Sequence, residues 1–311
     1  MLFSLVFLVG AIVVANQTFR FLEFLWFYLF RSSSVQKYLR RPAPYAIVTG
    51  ASDGIGKAVA QELFAKGFNL IIHGRNEEKV RRVVDELKAR GSGDVRYFIA
   101  DAAKSGHDFT QLLKPFADLS VTLVVHNVGG TSLTGGRIDE FSDEELAGFI
   151  AWNDLFPLLL TRALLPNLRT TAKDGPVLVQ FIGSQAAEAS PPTMSVYAAT
   201  KAFLAALTRG LDNDERLWGT PSGVAFEYLA VGSVATNSNP QNVSRTAPAP
   251  EEFGRALVGK IGCGRRRYAP WMMHAIMGWA AGVLPEGLVD QSAAWMVKKV
   301  YEGRQKSAKK A

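Results

Sequence analysis

The chain has 311 residues, 48% of them hydrophobic and 20% charged, with a net charge of +7 and a single cysteine, Cys263. That length and apolar content furnish a sizeable core for one or two domains, while 28 Gly, 14 Pro and 1 Cys exclude a collagen, a disulfide scaffold, a low-complexity disordered chain and a Cys-based zinc site. The surplus charge sits at the two ends: residues 31–41 carry +4 and residues 298–311 carry +5, leaving −2 elsewhere, so the body lacks the basic face that nucleic-acid binding needs.

Residues 2–19 form an apolar stretch softened at its end by Asn16, Gln17 and Thr18, and up to Phe30 the only charges are Arg20 and Glu23. Phe21, Phe24, Trp26, Phe27, Tyr28 and Phe30 follow. A bilayer span takes about 20 mostly apolar residues, and aromatic side chains collect at its boundary. Residues 1–30 therefore read as an uncleaved membrane anchor. A cleaved signal peptide is the competing reading, but no basic side chain precedes Leu2 and the apolar run resumes after a cut at Val13-Val14-Ala15. Residues 31–44 then form a basic linker, with Arg31, Lys37, Arg40 and Arg41, which places the following domain in the cytosol by the positive-inside tendency.

After Pro42 and Pro44 the pattern becomes regular. Apolar runs of strand length recur at 45–49, 69–73, 95–100, 121–125, 177–182 and 224–229, with helical patterns between them. Continuous apolar strands alternating with helices make a parallel sheet covered on both faces, an α/β doubly wound fold over residues 45–260. One interval shows the helical logic: Asn76 can cap, Glu77 and Glu78 sit in the first turn, Val80, Val83, Val84 and Leu87 share a face, and Gly91 can close the end.

The first strand runs into Thr49-Gly50-Ala51-Ser52-Asp53-Gly54-Ile55-Gly56-Lys57, and a helix pattern follows. Glycines let the backbone turn tightly and approach a pyrophosphate, and a helix N-terminus offers unpaired N–H groups to its charge. The placement between strand and helix marks a dinucleotide loop. At the end of the second strand, His73-Gly74-Arg75-Asn76 carries no acid for a ribose hydroxyl pair, and Arg75 suits a 2′-phosphate, which favours NADPH over NADH. Asp101, ending the third strand, can hold an adenine ring or serve only as a strand-end cap.

Tyr197 and Lys201 are four apart, so on a helix they share one face. A phenol titrates near 10 when unperturbed, and a neighbouring ammonium is expected to favour the phenolate and lower that value. Ser184 ends the preceding strand, where ligands collect in such sheets.

Thr49 to Gly56, Asn127-Val128-Gly129, Asn153, Ser184 and the Tyr197–Lys201 pair, in this order and spacing, resemble the signature set of the short-chain dehydrogenase/reductases, a Rossmann-type family, over residues 45–236. Together with Met273-His274-Ala275-Ile276-Met277-Gly278 and Leu284-Pro285, they resemble in particular the very-long-chain 3-oxoacyl-CoA reductases and the related 17β-hydroxysteroid dehydrogenases, which are endoplasmic reticulum membrane enzymes. The resemblance implies that Tyr197 is the proton donor, that Lys201 binds the nicotinamide ribose, that Ser184 bonds the substrate oxygen and that Asn153 holds a relay water. It also implies that NADPH or NADP+ is bound by Gly50, Ser52, Asp53, Gly54, Ile55, Gly56, Arg75, Asp101, Asn127, Gly129, Tyr197, Lys201, Val234 and Thr236, with no metal. The implied activity is reduction of a ketone on a long apolar substrate, 3-oxoacyl-CoA to 3-hydroxyacyl-CoA in very-long-chain fatty acid elongation. A ketone reductase of a steroid, polyketide or terpenoid pathway is the alternative, and a non-catalytic cofactor sensor on the same scaffold is a rival of another class. A homodimer and a membrane-bound lipid-synthesis complex are the partners it suggests.

Three positions depart from the family pattern: His126 stands for the first of two asparagines, Val231 for a proline, and Gly183 for the first of two serines. The mainly apolar stretch 268–285 belongs to a region, 261–297, that reads as a lid over the substrate or a membrane-contacting element, and residues 298–311 form a basic tail. His73, His107, His126 and His274 are scattered without ligand spacing.

Overall fold

A computed structural model of the chain describes residues 2–130 and 136–308. Two compact units divide it, Met1–Ser33 and Ser34–Ala311. In the first, helix α1 (Leu2–Leu25) runs into a π-helical turn at Trp26–Phe30. Phe3–Phe30 is, among the described residues, the one helix long and apolar enough to cross a membrane, with mean hydropathy 1.8 over its most apolar window. Phe3, Phe7 and Phe19 stand exposed on it.

The second unit runs β1 (Tyr45–Val48), α2 (Gly54–Ala65), β2 (Asn69–Gly74), α3 (Glu77–Lys88), β3 (Val95–Ile99), a short α4 (Phe109–Leu113), β4 (Val121–His126), α5 (Asp143–Ile150), α6 (Phe156–Ala172), β5 (Val177–Ile182), a single turn α7 (Ala186–Ala189), α8 (Ser195–Leu217), β6 (Val224–Leu229), α9 (Pro250–Lys260), β7 (Arg267–Tyr268), α10 (Met272–Val283) and α11 (Glu286–Ala308). The strands form one sheet in the order β3-β2-β1-β4-β5-β6-β7, every pair parallel. Chain direction across the sheet reverses between β1 and β4, and the crevice outside their carboxyl ends is where a doubly wound sheet takes its ligand.

Covering on both faces explains the continuous apolar strands: β1, β4 and β5 are buried at every position. Ile47, Val124, Val179, Phe181 and Phe226 of the sheet share one core with Leu160, Leu164 and Leu168 of α6 and Leu204 of α8. Truncating such a leucine to alanine typically costs about 2–5 kcal/mol, so this layer fixes where α6 and α8 lie. Asn76 caps α3 as expected, accepting from Lys79 N–H at 2.9 Å, and Val80, Val83, Val84 and Leu87 are its buried face.

Two further features set up the site. Val35 and Tyr38 are buried, Thr122 Oγ1 donates to the Tyr38 carbonyl at 2.7 Å, and Arg40 donates to the carbonyls of Thr171 and Gly175 at 2.9 and 3.0 Å. Part of the basic segment thus caps the C-terminus of α6, where a cation is favoured. Between α5 and α6 the helix widens into a π-turn at Ala151–Leu155, which turns Asn153 and Asp154 into the protein.

Candidate active site

The glycine loop leaves β1 through Gly50 and enters α2 through Gly54, both at positive φ, +63° and +55°. Asp53 caps α2, its Oδ1 accepting from Gly54 N–H at 2.7 Å. Thr49 Oγ1 accepts from the N–H groups of Asn127 and Val128 at 3.0 Å each, and Asn127 Nδ2 donates back to the carbonyls of Thr49 and Gly50 at 3.1 and 3.2 Å. Asn127 is thereby a strut between the loop and β4. At Gly56 a Cβ would stand 2.2 Å from the Gly50 carbonyl oxygen, so only glycine lets α2 begin this close to the loop. The first-turn N–H groups of α2 lie beyond the reach of intrahelical acceptors and are the natural anion donors.

Ser52 lies against Gly74 at the end of β2, and beside it Arg75 is exposed and makes no ion pair with a described residue. No acid stands there. Asp101 is half-buried, and its Oδ1 accepts from Ala103 N–H at 3.3 Å, which is the strand-end cap. From the far side of the crevice, Asn237 donates to both Asp53 oxygens at 3.2 and 3.0 Å, and the Thr236 methyl lies 3.3 Å from where a Cβ on Gly54 would be. Val234 is buried behind them.

Sequence reasoning missed two braces of this loop. His73 is sandwiched between Phe98 and Phe156, ring centres 4.8 Å away on each side. Its Nε2 meets the Ala100 carbonyl at 3.0 Å and its Nδ1 accepts from Gly50 N–H at 3.4 Å. A carbonyl only accepts, so Nε2 carries the hydrogen, and burial keeps the ring neutral by pulling its pKa to about 4. Asn237 is the second brace; it follows Thr236 with no local pattern to mark it.

The candidate reacting groups lie just after β5 (Ser184), in the π-turn (Asn153) and on α8 (Tyr197 and Lys201). Asn153 is fully buried: its Nδ2 donates to Gly130 and Phe149 carbonyls at 3.1 Å each, and its Oδ1 accepts from Gly130 N–H at 3.1 Å. Lys201 is buried on α8, with Nζ 3.3 Å from the Ile182 carbonyl and 5.6 Å from the centre of the Tyr197 ring. Asn153 Oδ1 and Lys201 Nζ converge on Gly129, 2.8 and 3.1 Å from where its Cβ would stand. Burial holds Lys201 down to about 8, opposed by Asp154, whose own buried carboxyl is pushed up to about 7.

At Tyr197 the balance differs from the expected one. Burial raises the phenol's pKa, and the force pulling it back is the neighbouring Ser184 hydroxyl rather than the ammonium. Lys201 stands over the ring and donates one of its three N–H groups to the Ile182 carbonyl; desolvation outweighs the serine bond, and the phenol keeps its hydrogen at neutral pH. Such a group is an acid and hydrogen-bond donor.

A short chain dehydrogenase family model matches residues 44–246, which include the glycine loop, Asn153, Ser184, Tyr197 and Lys201. The chain belongs to that family. It is 30% identical over 278 residues to the very-long-chain 3-oxoacyl-CoA reductase of Pyricularia oryzae, a match covering 87% of this chain and 82% of the relative. A reductase of the same name from Mycosarcoma maydis is 30% identical over 319 residues, covering 97% of this chain and 87% of the relative. Among solved structures, an alcohol dehydrogenase from Thermococcus sibiricus complexed with 5-hydroxy-NADP superposes with a TM-score of 0.61 at 26% identity, covering 73% of this chain and 94% of that one.

In this short chain dehydrogenase the unusual His126 is a core residue. Its Nε2 lies 2.8 Å from Thr161 Oγ1, it stacks on Phe181 at 4.7 Å, and burial pulls its pKa to about 3. Thr161 donates to the Pro157 carbonyl, so it accepts from the imidazole. Val231 is buried, and its carbonyl accepts from Gln185 N–H at 2.9 Å. The stretch 268–285 divides: Tyr268 ends β7, while α10 has 12 residues. His274 of α10 is fully buried, with Nε2 3.0 Å from the Ser233 carbonyl, and its own carbonyl accepts from Gln185 Nε2. These bonds fix α10 beside the loops that follow β5 and β6.

Proposed function

We propose that the chain is an NADPH-dependent reductase that converts a long-chain 3-oxoacyl-CoA to the 3-hydroxyacyl-CoA, as in very-long-chain fatty acid elongation. The observation that carries this reading is that Ser184 and Lys201 both stand against Tyr197, in a chain whose relatives bear that reductase name over most of their length. The crevice suits a dinucleotide phosphate: a close glycine approach, α2 donors for the pyrophosphate, and Ser52 with Arg75 where an acid would repel a 2′-phosphate. Asp53, Ile55, Asn127, Val234 and Thr236 would shape that cradle, with Asp101 near the adenine. Bound there, the dihydronicotinamide supplies the hydride that reduces the carbonyl carbon.

The protein's part is proton supply and placement. Tyr197 gives its proton to the developing alkoxide, and Ser184 holds the same oxygen as charge grows on it. Lys201, tied to the Ile182 carbonyl, orients the nicotinamide ribose and restores the proton to Tyr197. Asn153 has both amide hydrogens engaged and one Oδ1 lone pair left near Lys201, which suits a relay water.

The placement around this centre follows from exposure. Met272, Ile276, Trp279 and Val283 recur on one face of α10 and are exposed, and Leu284, Leu288, Trp295 and Met296 continue the apolar surface toward Lys298 and Lys299. At about 18 Å, α10 is too short to span a bilayer. A chain tethered by its spanning helix would lay this lid in the headgroup layer of the endoplasmic reticulum membrane, on the cytosolic side, where acyl chains are at hand. A cavity of about 450 Å³ is lined by Ile138, Ile150, Asp154 and the first turns of α8, and exposed Leu155, Leu159 and Phe203 fit a homodimer through α6 and α8. Membranes carrying the full chain should oxidise NADPH when long-chain 3-oxoacyl-CoA is added. Oxidation with sterol or polyketide ketones and none with any 3-oxoacyl-CoA would overturn the substrate assignment.

A further inference from the structure

Gly183, where the family commonly has a serine, faces the ring of Tyr228 on β6. The two lie 45 positions apart: Phe181 pairs Tyr228 in the β5–β6 ladder, and Gly183 stands two residues beyond Phe181, just past the end of β5. A Cβ on Gly183 would stand 2.0 Å from Tyr228 Cζ, so no other residue fits over this ring, which is itself 1% exposed.

We propose that Tyr228 is a positioning residue for the reduction, its hydroxyl locking the backbone of Ser184 to the backbone of Lys201, with Gly183 as the vacancy that admits it. Tyr228 Oη accepts from Ser184 N–H at 2.9 Å and shares its single hydrogen between the Ser184 carbonyl at 3.1 Å and the Lys201 carbonyl at 3.2 Å. The need for it is topological. Gly183 and Gln185 donate to Leu229 and Val231 on the β6 side, whereas pairing between β4 and β5 ends at His126 and Phe181. Ser184 lies past that end, so its N–H meets no strand carbonyl, and an unpaired buried N–H is costly. The phenol takes the place of the missing strand.

Two features keep the lock closed. Burial pushes the Tyr228 phenol up to about 12, so it remains a neutral donor over any assay range. The guanidinium carbon of Arg267 stands 5.5 Å from the ring centre, and Arg267 is ion-paired with Glu188, the acid of α7. The ring is thus held from the side facing away from Gly183's neighbours on β5 while its hydroxyl reaches two residues of the reacting set.

This inference rests on the reading of Ser184, Tyr197 and Lys201 as the reacting groups. The test uses the full chain in membranes or detergent, with long-chain 3-oxoacyl-CoA and NADPH. Tyr228→Phe keeps the ring and removes the lock: kcat should fall at least tenfold, while NADPH affinity, read by nicotinamide fluorescence, stays within twofold. The helix bonds of α8 already hold the Lys201 backbone, so the effect of the lock falls on Ser184, and the same change in a Ser184→Ala background should cost less than threefold. A kcat within twofold of the parent, or the full tenfold loss repeated in the Ser184→Ala background, would overturn the proposal. Should Tyr228→Phe fail to fold, the pair Gly183→Ser with Tyr228→Leu keeps an apolar side chain on β6, gives the serine the room that the ring tip occupied, and removes the lock. It should fold and show the tenfold loss; parental kcat in that pair refutes the inference. Failure of the underlying reading looks different: Ser184→Ala and Tyr197→Phe would then leave turnover intact.

Discussion

Substituting Gly56 by alanine tests the cofactor cradle most sharply, because the atom nearest the added methyl is backbone rather than a movable side chain. The added methyl would stand 2.2 Å from the Gly50 carbonyl oxygen and 2.5 Å from Asn127 Nδ2, so relief requires a shift of about 1 Å in the loop or in the start of α2. The Gly50 carbonyl also receives the Asn127 amide, and moving it loosens the strut to β4. Overpacking of this kind costs about 1–3 kcal/mol. If that cost falls on the bound state, NADPH affinity drops by about 5- to 150-fold; if it falls on the fold, the thermal midpoint drops by roughly 2–4 °C per kcal/mol. Nicotinamide fluorescence titration and a thermal melt separate the two. Gly259→Ala is the control, since nothing lies within 4 Å of its added Cβ and a helical glycine replaced by alanine gains about 0.5–1 kcal/mol. Gly56→Ala with parental NADPH affinity and an unchanged thermal midpoint would contradict this packing of the loop against α2.

Three further outcomes follow from single residues. Arg75→Ala should weaken NADPH about tenfold and leave NADH unchanged, because the guanidinium is read as the partner of the 2′-phosphate; equal effects on both cofactors in a fluorescence titration would remove that role. Asp154 has a folded-state pKa near 7 against 3.8 for the free group, so the folded state binds its proton more tightly and stability is lost as pH rises from about 4 to 7. Asp154→Asn should therefore gain on the parent across that window, by on the order of a few kcal/mol above pH 7; urea unfolding at pH 5 and pH 8 with one constant margin would contradict this. His126→Asn, which restores the family's usual residue, should lose about 1–2 kcal/mol with the Thr161 bond and leave kcat within threefold, and a large loss of turnover would give His126 a role beyond the core.

The strands of the second unit were legible because β1, β4 and β5 are buried on both faces and therefore apolar throughout. β7 was not, being two residues that end the arginine run 265–267 and owe their pairing to β6. Local spacing exposed the Tyr197–Lys201 pair, since four residues make one helical turn. It could not expose the Tyr228 ring over Gly183, a contact made only when β5 and β6 align. Nor could it show that three scattered histidines each hold a specific partner: His73 ties the glycine loop to β3, His126 ties β4 to α6, and His274 ties α10 to the loop after β6. The π-turn at Asn153 spans five residues, too few for any periodicity to reveal. The expected depression of the Tyr197 pKa failed for a physical reason. A shared helix face brings ammonium and phenol near each other, but the phenol's balance is set by burial, with the Ser184 hydroxyl as the opposing pull.

The central claim is that Tyr197 delivers the proton to the reduced carbonyl. Tyr197→Phe, assayed in a single turnover with bound NADPH and a long-chain 3-oxoacyl-CoA, should slow reduction by about a hundredfold to ten-thousandfold while NADPH affinity stays within twofold. Reduction at a rate within threefold of the parent chain would contradict the account.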